Sequence, residues 1–205
     1  MPSIAACCRA LLAVLATAGA LGAPATAGAA TVSSGGCPDV PVVHPFAPWG
    51  DSADYFLAPD GGFELGGTGW SLTGGARVSG GNEPFHVVAR DDLRALTLPA
   101  GSSATSAPFC IGAEHRSMRF FARSAATGSL HVDVLYADAG GAPRMLQIGD
   151  LDGGRGWAPS DVVPMVVNEL AARQGNAMTV QLRFSAAGPA AWAIDDVFVD
   201  PYRSR

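Results

Sequence analysis

Four histidines, His44, His86, His115 and His131, are the first residues to weigh for catalysis or metal binding. None has a neighbour in a ligating spacing such as H-E-x-x-H. No G-x-S-x-G elbow is present, and no phosphate-cradling glycine loop precedes a helix. Asp and Glu are frequent enough for two to meet across a cleft as a hydrolase pair, yet their spacing singles out no pair. Asp150-Leu151-Asp152-Gly153-Gly154 shares the opening of a calcium loop but lacks its third carboxylate and distal Glu, so it reads as a polar turn. The expectation is that the chain is not an enzyme.

Cysteine chemistry is simpler. Cys7 and Cys8 fall in an N-terminal apolar stretch, which leaves Cys37 and Cys110. An even pair in an exported protein is most simply a disulfide. A metal site or a reactive thiol is the alternative, disfavoured because no Cys or His stands near either residue at ligand spacing. A bridge would close a loop of 73 residues, which the chain-entropy model values at roughly 4 kcal/mol.

Residues 1–30 read as a secretory signal: Arg9 is the only charge, Ala10 to Leu21 is apolar, and Ala27-Gly28-Ala29 is an A-x-A cleavage pattern. An uncleaved membrane anchor is the alternative, but the run is shorter than the about 20 residues that span a bilayer. Cleavage would leave 12 basic against 18 acidic residues, a net charge of −6. That balance argues against nucleic-acid and anionic-membrane partners. The expected location is secreted, extracellular, with no membrane insertion after cleavage. All 13 basic residues are Arg, which reflects a GC-rich coding bias and carries no mechanism.

The elements that must position any site are short strands. Residues 31–62 hold Pro38, Pro41, Pro45, Pro48 and Pro59, which predicts an irregular arm tied down by Cys37. Beyond it, residues 63–205 form one sandwich domain. Leu130, Val132, Val134 and Tyr136 alternate with His131, Asp133 and Leu135, and Met178, Val180, Leu182 and Phe184 alternate with Thr179, Gln181 and Arg183. Both have the strand period with one buried face. Further strands are expected at Arg77-Val78, Phe85–Ala89, Ala95–Leu98, Ser117–Arg123, Met145–Ile148, Val162–Val167 and Ala191–Val199, with Gly-rich turns between them. One or two helical turns are expected over Asn168–Arg173. The whole predicts an all-β antiparallel jelly-roll β-sandwich of about eight to ten strands.

Specific residues extend this reading. Asp60-Gly61-Gly62-Phe63-Glu64 followed by Gly69-Trp70 resembles the opening strand of jelly-roll carbohydrate-binding modules of the galactose-binding-like superfamily. Trp192-Ala193-Ile194-Asp195-Asp196-Val197 resembles their last strand, and Gly156-Trp157 their late Gly-Trp. The chain is also similar to uncharacterised secreted actinobacterial proteins that close on Val-Asp-Pro-Tyr, here Val199 to Tyr202. The resemblance implies a structural calcium ion held by Glu64 and by Asp195 or Asp196, with backbone carbonyls completing the oxygen shell.

It also implies carbohydrate as partner. Such sites stack aromatic rings on sugars and surround them with polar groups. Trp49, Tyr55 and Trp157 fall in loops where they could be exposed, whereas Trp70 and Trp192 are expected in the core. His131, Asp133, Gln181 and Arg183, the outward residues of the two clean strands, could line a polar groove, although a solvated sheet face also accounts for them. The chain is thus expected to be a secreted, non-catalytic protein that binds carbohydrate or another cell-surface component. The alternative is a structural or protein-interaction module of the cell envelope.

Overall fold

A computed structural model describes residues 30–34 and 36–201. The A-x-A pattern, most of the expected signal and Tyr202 lie outside those residues.

The arm is less irregular than its prolines predict. β1 (Ala30–Ser34) and β2 (Cys37–Val42) form an antiparallel hairpin. β2 pairs with no other strand among the described residues, so the missing N–H groups of Pro38 and Pro41 need not interrupt a second ladder. A 3-10 turn (Ala47–Trp49) follows, and β3 (Phe56–Leu57) joins the body of the fold. Cys37 and Cys110 are bonded, which ties the hairpin to the sandwich with 5.6 Å between their Cα atoms.

The body is a jelly-roll sandwich of two antiparallel sheets. Its first strands are β4 (Ser71–Thr73), β5 (Arg77–Gly80), β6 (Arg94–Leu98) and β7 (Ser103–Thr105). β8 (Phe109–Gly112), β9 (Ser117–Ser124), β10 (Ser129–Ala137) and β11 (Pro143–Asp152) come next. The chain closes with β12 (Arg155–Pro159), β13 (Val163–Pro164), helix α1 (Asn168–Arg173), β14 (Ala177–Ala187) and β15 (Trp192–Asp200). Sheet I runs β11-β10-β14-β7-β4, with β8 also on β14. Sheet II runs β12-β9-β15-β6-β5, with β13 on β9 and β3 on β15. The helix falls where its spacing places it. The predicted strand at Phe85–Ala89 does not form: the Glu83 carboxylate accepts the N–H groups of Phe85 and Val87, and Asp92 accepts that of Ala89. Carboxylates take the place of a neighbouring strand there.

Alternation decides what is buried. Leu130, Val132 and Val134 on β10 face Leu182, Phe184 and Ala186 on β14 within one core, which also holds Leu96, Phe120, Ile194, Trp70 and Trp192. A second, smaller core lies on the other face of sheet II, where Phe46 and Tyr55 from the arm pack on Phe121 and Phe198. Phe46 stacks on Phe121 with 5.5 Å between ring centres and meets Tyr55 edge-on at 4.9 Å.

The loop carrying Asp60 to Glu64 is a chain of turns and not a strand. Asp60 and Phe63 adopt left-handed backbone angles, and the Asp60 carboxylate accepts the N–H groups of Leu65 and Thr68. The loop docks on β15 at a bulge between Asp195 and Phe198: Ala58 N–H donates to Val197 O and Val197 N–H donates to Gly61 O. A Cβ on Gly61 would sit 2.8 Å from Val197 O and 3.0 Å from Ala58 O. Gly61→Ala should therefore lower unfolding free energy by about 1–3 kcal/mol, read from urea denaturation, whereas Gly156→Ala, which meets no neighbour and has no left-handed φ, should cost less.

Candidate functional site

Two sets of functional residues expected from sequence separate in space. His131, Asp133, Gln181 and Arg183 come together on the outer face of sheet I, because each alternates with a core residue on β10 or β14. Register extends them into rows that cross five strands. One row is Gln147, Asp133, Arg183, Thr105 and Ser71. The adjacent row is Asp150, His131, Ser185, Ser103 and Thr73. At the usual strand spacing these rows are roughly 19 Å long.

This face differs from an open solvated sheet. Asp133 keeps only 8% of its surface exposed, and among the described residues its carboxylate takes no hydrogen bond or ion pair. Arg183 donates from Nη2 to Ser103 Oγ at 3.3 Å, while its buried Nε–H meets no acceptor among the described residues. Gln181 donates from Nε2 to Ser106 O at 2.8 Å, and His131 Nε2 lies 4.0 Å from Asp150 Oδ1. Leu135 and Gln181 border a depression of about 500 Å³ that reaches Met145 at the sheet edge.

Trp49, Tyr55 and Trp157 stand on the opposite side of the molecule, about sheet II, and Trp157 lies on strand β12, not in the expected loop. Tyr55 is 1% exposed and donates its hydroxyl to Asp51 Oδ2 at 2.8 Å, so it is a core residue and offers no stacking face. Burial and the Asp51 carboxylate together raise that hydroxyl well above its usual range. Trp49 keeps 37% exposure, but its ring meets Phe85 and Phe121 edge-on at 4.9 and 5.3 Å. Trp157 is half-buried against the second core, with the Arg123 guanidinium 5.3 Å from its ring centre. Among the described residues no aromatic platform therefore joins the polar rows.

Arg119 explains how the second core tolerates charge. Its guanidinium lies 4.4 Å over the Phe46 ring, donates from Nε and Nη2 to Ser160 O, and donates from Nη1 to Asp51 Oδ2 at 2.8 Å. Burial pushes the Asp51 carboxyl up, but hydrogen bonds from Tyr55, Arg119 and Ala53 outweigh it and hold the carboxyl below its ordinary value.

Glu64, Asp195 and Asp196 lie around the β15 bulge with two acids that sequence reasoning passed over, Glu83 and Asp92. Asp195 accepts the N–H groups of Glu83 and Asp196 at 3.1 and 2.9 Å. Glu64 Oε1 accepts those of Leu93 and Arg94. Asp196 has φ 50°, and both its carboxylate oxygens are buried with no partner among the described residues. Burial is the main reason that the carboxyls rise, to about 8 for Asp195 and about 9 for Asp196, with Glu83 acting on both. No three His, Cys, Asp or Glu side chains among the described residues are arranged to hold a metal ion by themselves. The orphaned oxygens of Asp196 nevertheless suit a hard cation that draws its remaining ligands from backbone carbonyls. Glu83 sits beside a Gly-Gly-Asn turn, and only the fold carries it to Asp195, 112 positions away.

No family model matches the sequence, and no curated protein matches it. Among solved structures, the chain is similar to the family 22 carbohydrate-binding module with its GH10 xylanase module from Clostridium thermocellum xylanase 10B, solved with xylohexaose. That match has 15% identity and a TM-score of 0.49 over 67% of this chain and 27% of that one. The xylan-binding family 22 module of Paenibacillus barcinonensis Xyn10C aligns with 16% identity and a TM-score of 0.48, over 68% of this chain and 90% of that one. A family 61 module solved with β-1,4-galactotriose aligns with 15% identity and a TM-score of 0.43, over 72% and 98%. The structural neighbours include carbohydrate-binding modules, and some of the matched chains are parts of enzymes.

The Asp51 network has a pH signature. A carboxyl lowered on folding stabilises the fold above its unfolded pKa of 3.8 and loses that contribution as pH falls through the folded value. The stability advantage of the native protein over Asp51→Asn should be full at neutral pH and should shrink below about pH 4, as followed by thermal unfolding across pH.

Proposed function

We propose that this chain is a non-catalytic binding protein that receives carbohydrate on the outer face of sheet I, outside the cytoplasm. One observation carries the reading: Arg183, directly paired with Asp133 across β10 and β14, holds a buried Nε–H without an acceptor among the described residues, in a row of hydrogen-bonding side chains. Buried polar groups are normally satisfied, so unmatched ones on an accessible face call for water or a ligand rich in hydroxyls. A carboxylate, a guanidinium, an amide and several hydroxyls supply the donors and acceptors that a polyhydroxylated chain needs. The Cys37–Cys110 bond supports an oxidising location. A protein partner is the second reading, favoured by Met145 and Leu146, which are 59% and 41% exposed on edge strand β11.

Asp196 is the residue that would hold a calcium ion at the β15 bulge, with backbone carbonyls supplying the remaining oxygens. The ion would supply positive charge to carboxylates that burial otherwise drives to protonate, and would pin the Asp60–Glu64 loop to β15. Its role here is structural and its site is distinct from the polar rows.

Retention on a panel of soluble glycans and insoluble polysaccharides tests the first proposal. Asp133→Ala and Arg183→Ala should each weaken binding roughly 10–100-fold, while Trp49→Ala leaves it unchanged. Loss on Trp49→Ala or Trp157→Ala alone would move the site to sheet II, and no retention by any glycan would favour the protein partner. For the ion, calcium at a hundredfold excess over Kd should raise Tm by about 5–10 °C. Asp196→Asn should remove that gain, and an equal Tm with calcium and with chelator would refute the site.

A further inference from the structure

The disulfide forms one wall of a cavity of about 260 Å³ beside the segment that docks on β15. Pro38 and Val40 of β2, Phe56 of β3 and Phe109 of β8 supply apolar walls, and His115 supplies a polar one. The walls come from three separate parts of the chain, held together by Cys37–Cys110.

His115 sets the chemistry. It is 2% exposed, and its ring lies edge-on to Phe56 with 5.3 Å between centres. Gly112 N–H donates to its Nδ1 at 2.5 Å. Nδ1 is therefore the unprotonated nitrogen, and the neutral ring carries its proton on Nε2. Among the described residues no acceptor takes that Nε2–H. Burial holds the ring neutral by lowering its pKa, against the opposing charge of Glu114. Glu114 is the charged group close enough to act on His115, and its sign disfavours an anion beside the ring.

We propose that this cavity is a binding site for a small neutral molecule that joins an apolar ring or short chain to a single hydrogen-bond acceptor, such as an aryl ketone. The pocket is roomy enough for a benzene-sized ring, which occupies a closed apolar cavity of roughly 150 Å³, and it opens to solvent through partly exposed walls. One donor against apolar walls matches one acceptor, and it gives the site polarity that a dry void lacks. The site is separate from the polar rows of sheet I and does not depend on carbohydrate binding.

The test uses the disulfide-intact protein and two probes of nearly equal shape. Acetophenone carries the acceptor and ethylbenzene lacks it. Acetophenone should bind with roughly millimolar affinity or better, shifting the amide signals of Val40, Phe109 and Gly112 and the Nε2–H signal of His115. Ethylbenzene should bind about 2–10-fold more weakly, and benzoate should not bind. Val40→Phe, which fills the cavity from β2, should abolish acetophenone binding without lowering Tm. Equal affinity for the two probes would overturn the role of His115. Absence of shifts at the cavity residues, or binding unchanged in Val40→Phe, would overturn the site.

Discussion

The structure depends on one irregularity in its central strand. β15 lies between β9 and β6 in sheet II, yet at Asp195–Phe198 its ladder to β9 breaks. Val197 bonds instead to Ala58 and Gly61, so a loop near the start of the domain replaces a strand at its end. This exchange places Phe63 beside Trp70, with 5.0 Å between ring centres, and Trp70 stacks on Phe184 of the other sheet. It also turns Asp196 into the left-handed region and buries it among acids. A bulge bends a strand and re-aims its side chains. Here it joins both sheets through the aromatic chain and gathers the carboxylates.

The same arm makes the two faces of the sandwich unequal. Its residues Phe46 and Tyr55 cover sheet II, and Arg119 is accommodated beneath them by an aromatic ring, a carbonyl and a carboxylate. Outward-pointing Phe121 and Phe198 are thereby removed from water. Among the described residues no aromatic cluster covers the outer face of sheet I, and its outward residues are polar in two consecutive rows. Among the described residues the aromatics outside the main core thus close one sheet, and none stacks beside Asp133 and Arg183.

Legibility in sequence followed the range of the interactions. Alternation in Leu130–Tyr136 and Met178–Phe184 is local, so both strands, their inward faces and the grouping of His131, Asp133, Gln181 and Arg183 could be read directly. The sandwich class was legible for the same reason, and the cysteine pair because only Cys37 and Cys110 remain beyond the apolar N-terminal stretch. Phe85–Ala89 has the residues of a strand, but Glu83 and Asp92 claim its N–H groups, a competition that pattern does not reveal. Tyr55 looks like a loop aromatic until Phe46, Phe198 and Asp51 close around it. Glu83 and His115 gain their meaning only from partners that folding brings near.

Covering one sheet has a consequence for valency. Among the described residues one broad polar face stands on sheet I, so a polymer bound there as proposed would be engaged from one side. If that face receives carbohydrate as proposed, several molecules would line up along one polysaccharide strand and coat it, each adding its own contact. Two strands could be bridged only by tethering two such chains, and the length of the tether would then set how far apart the bridged polymers lie.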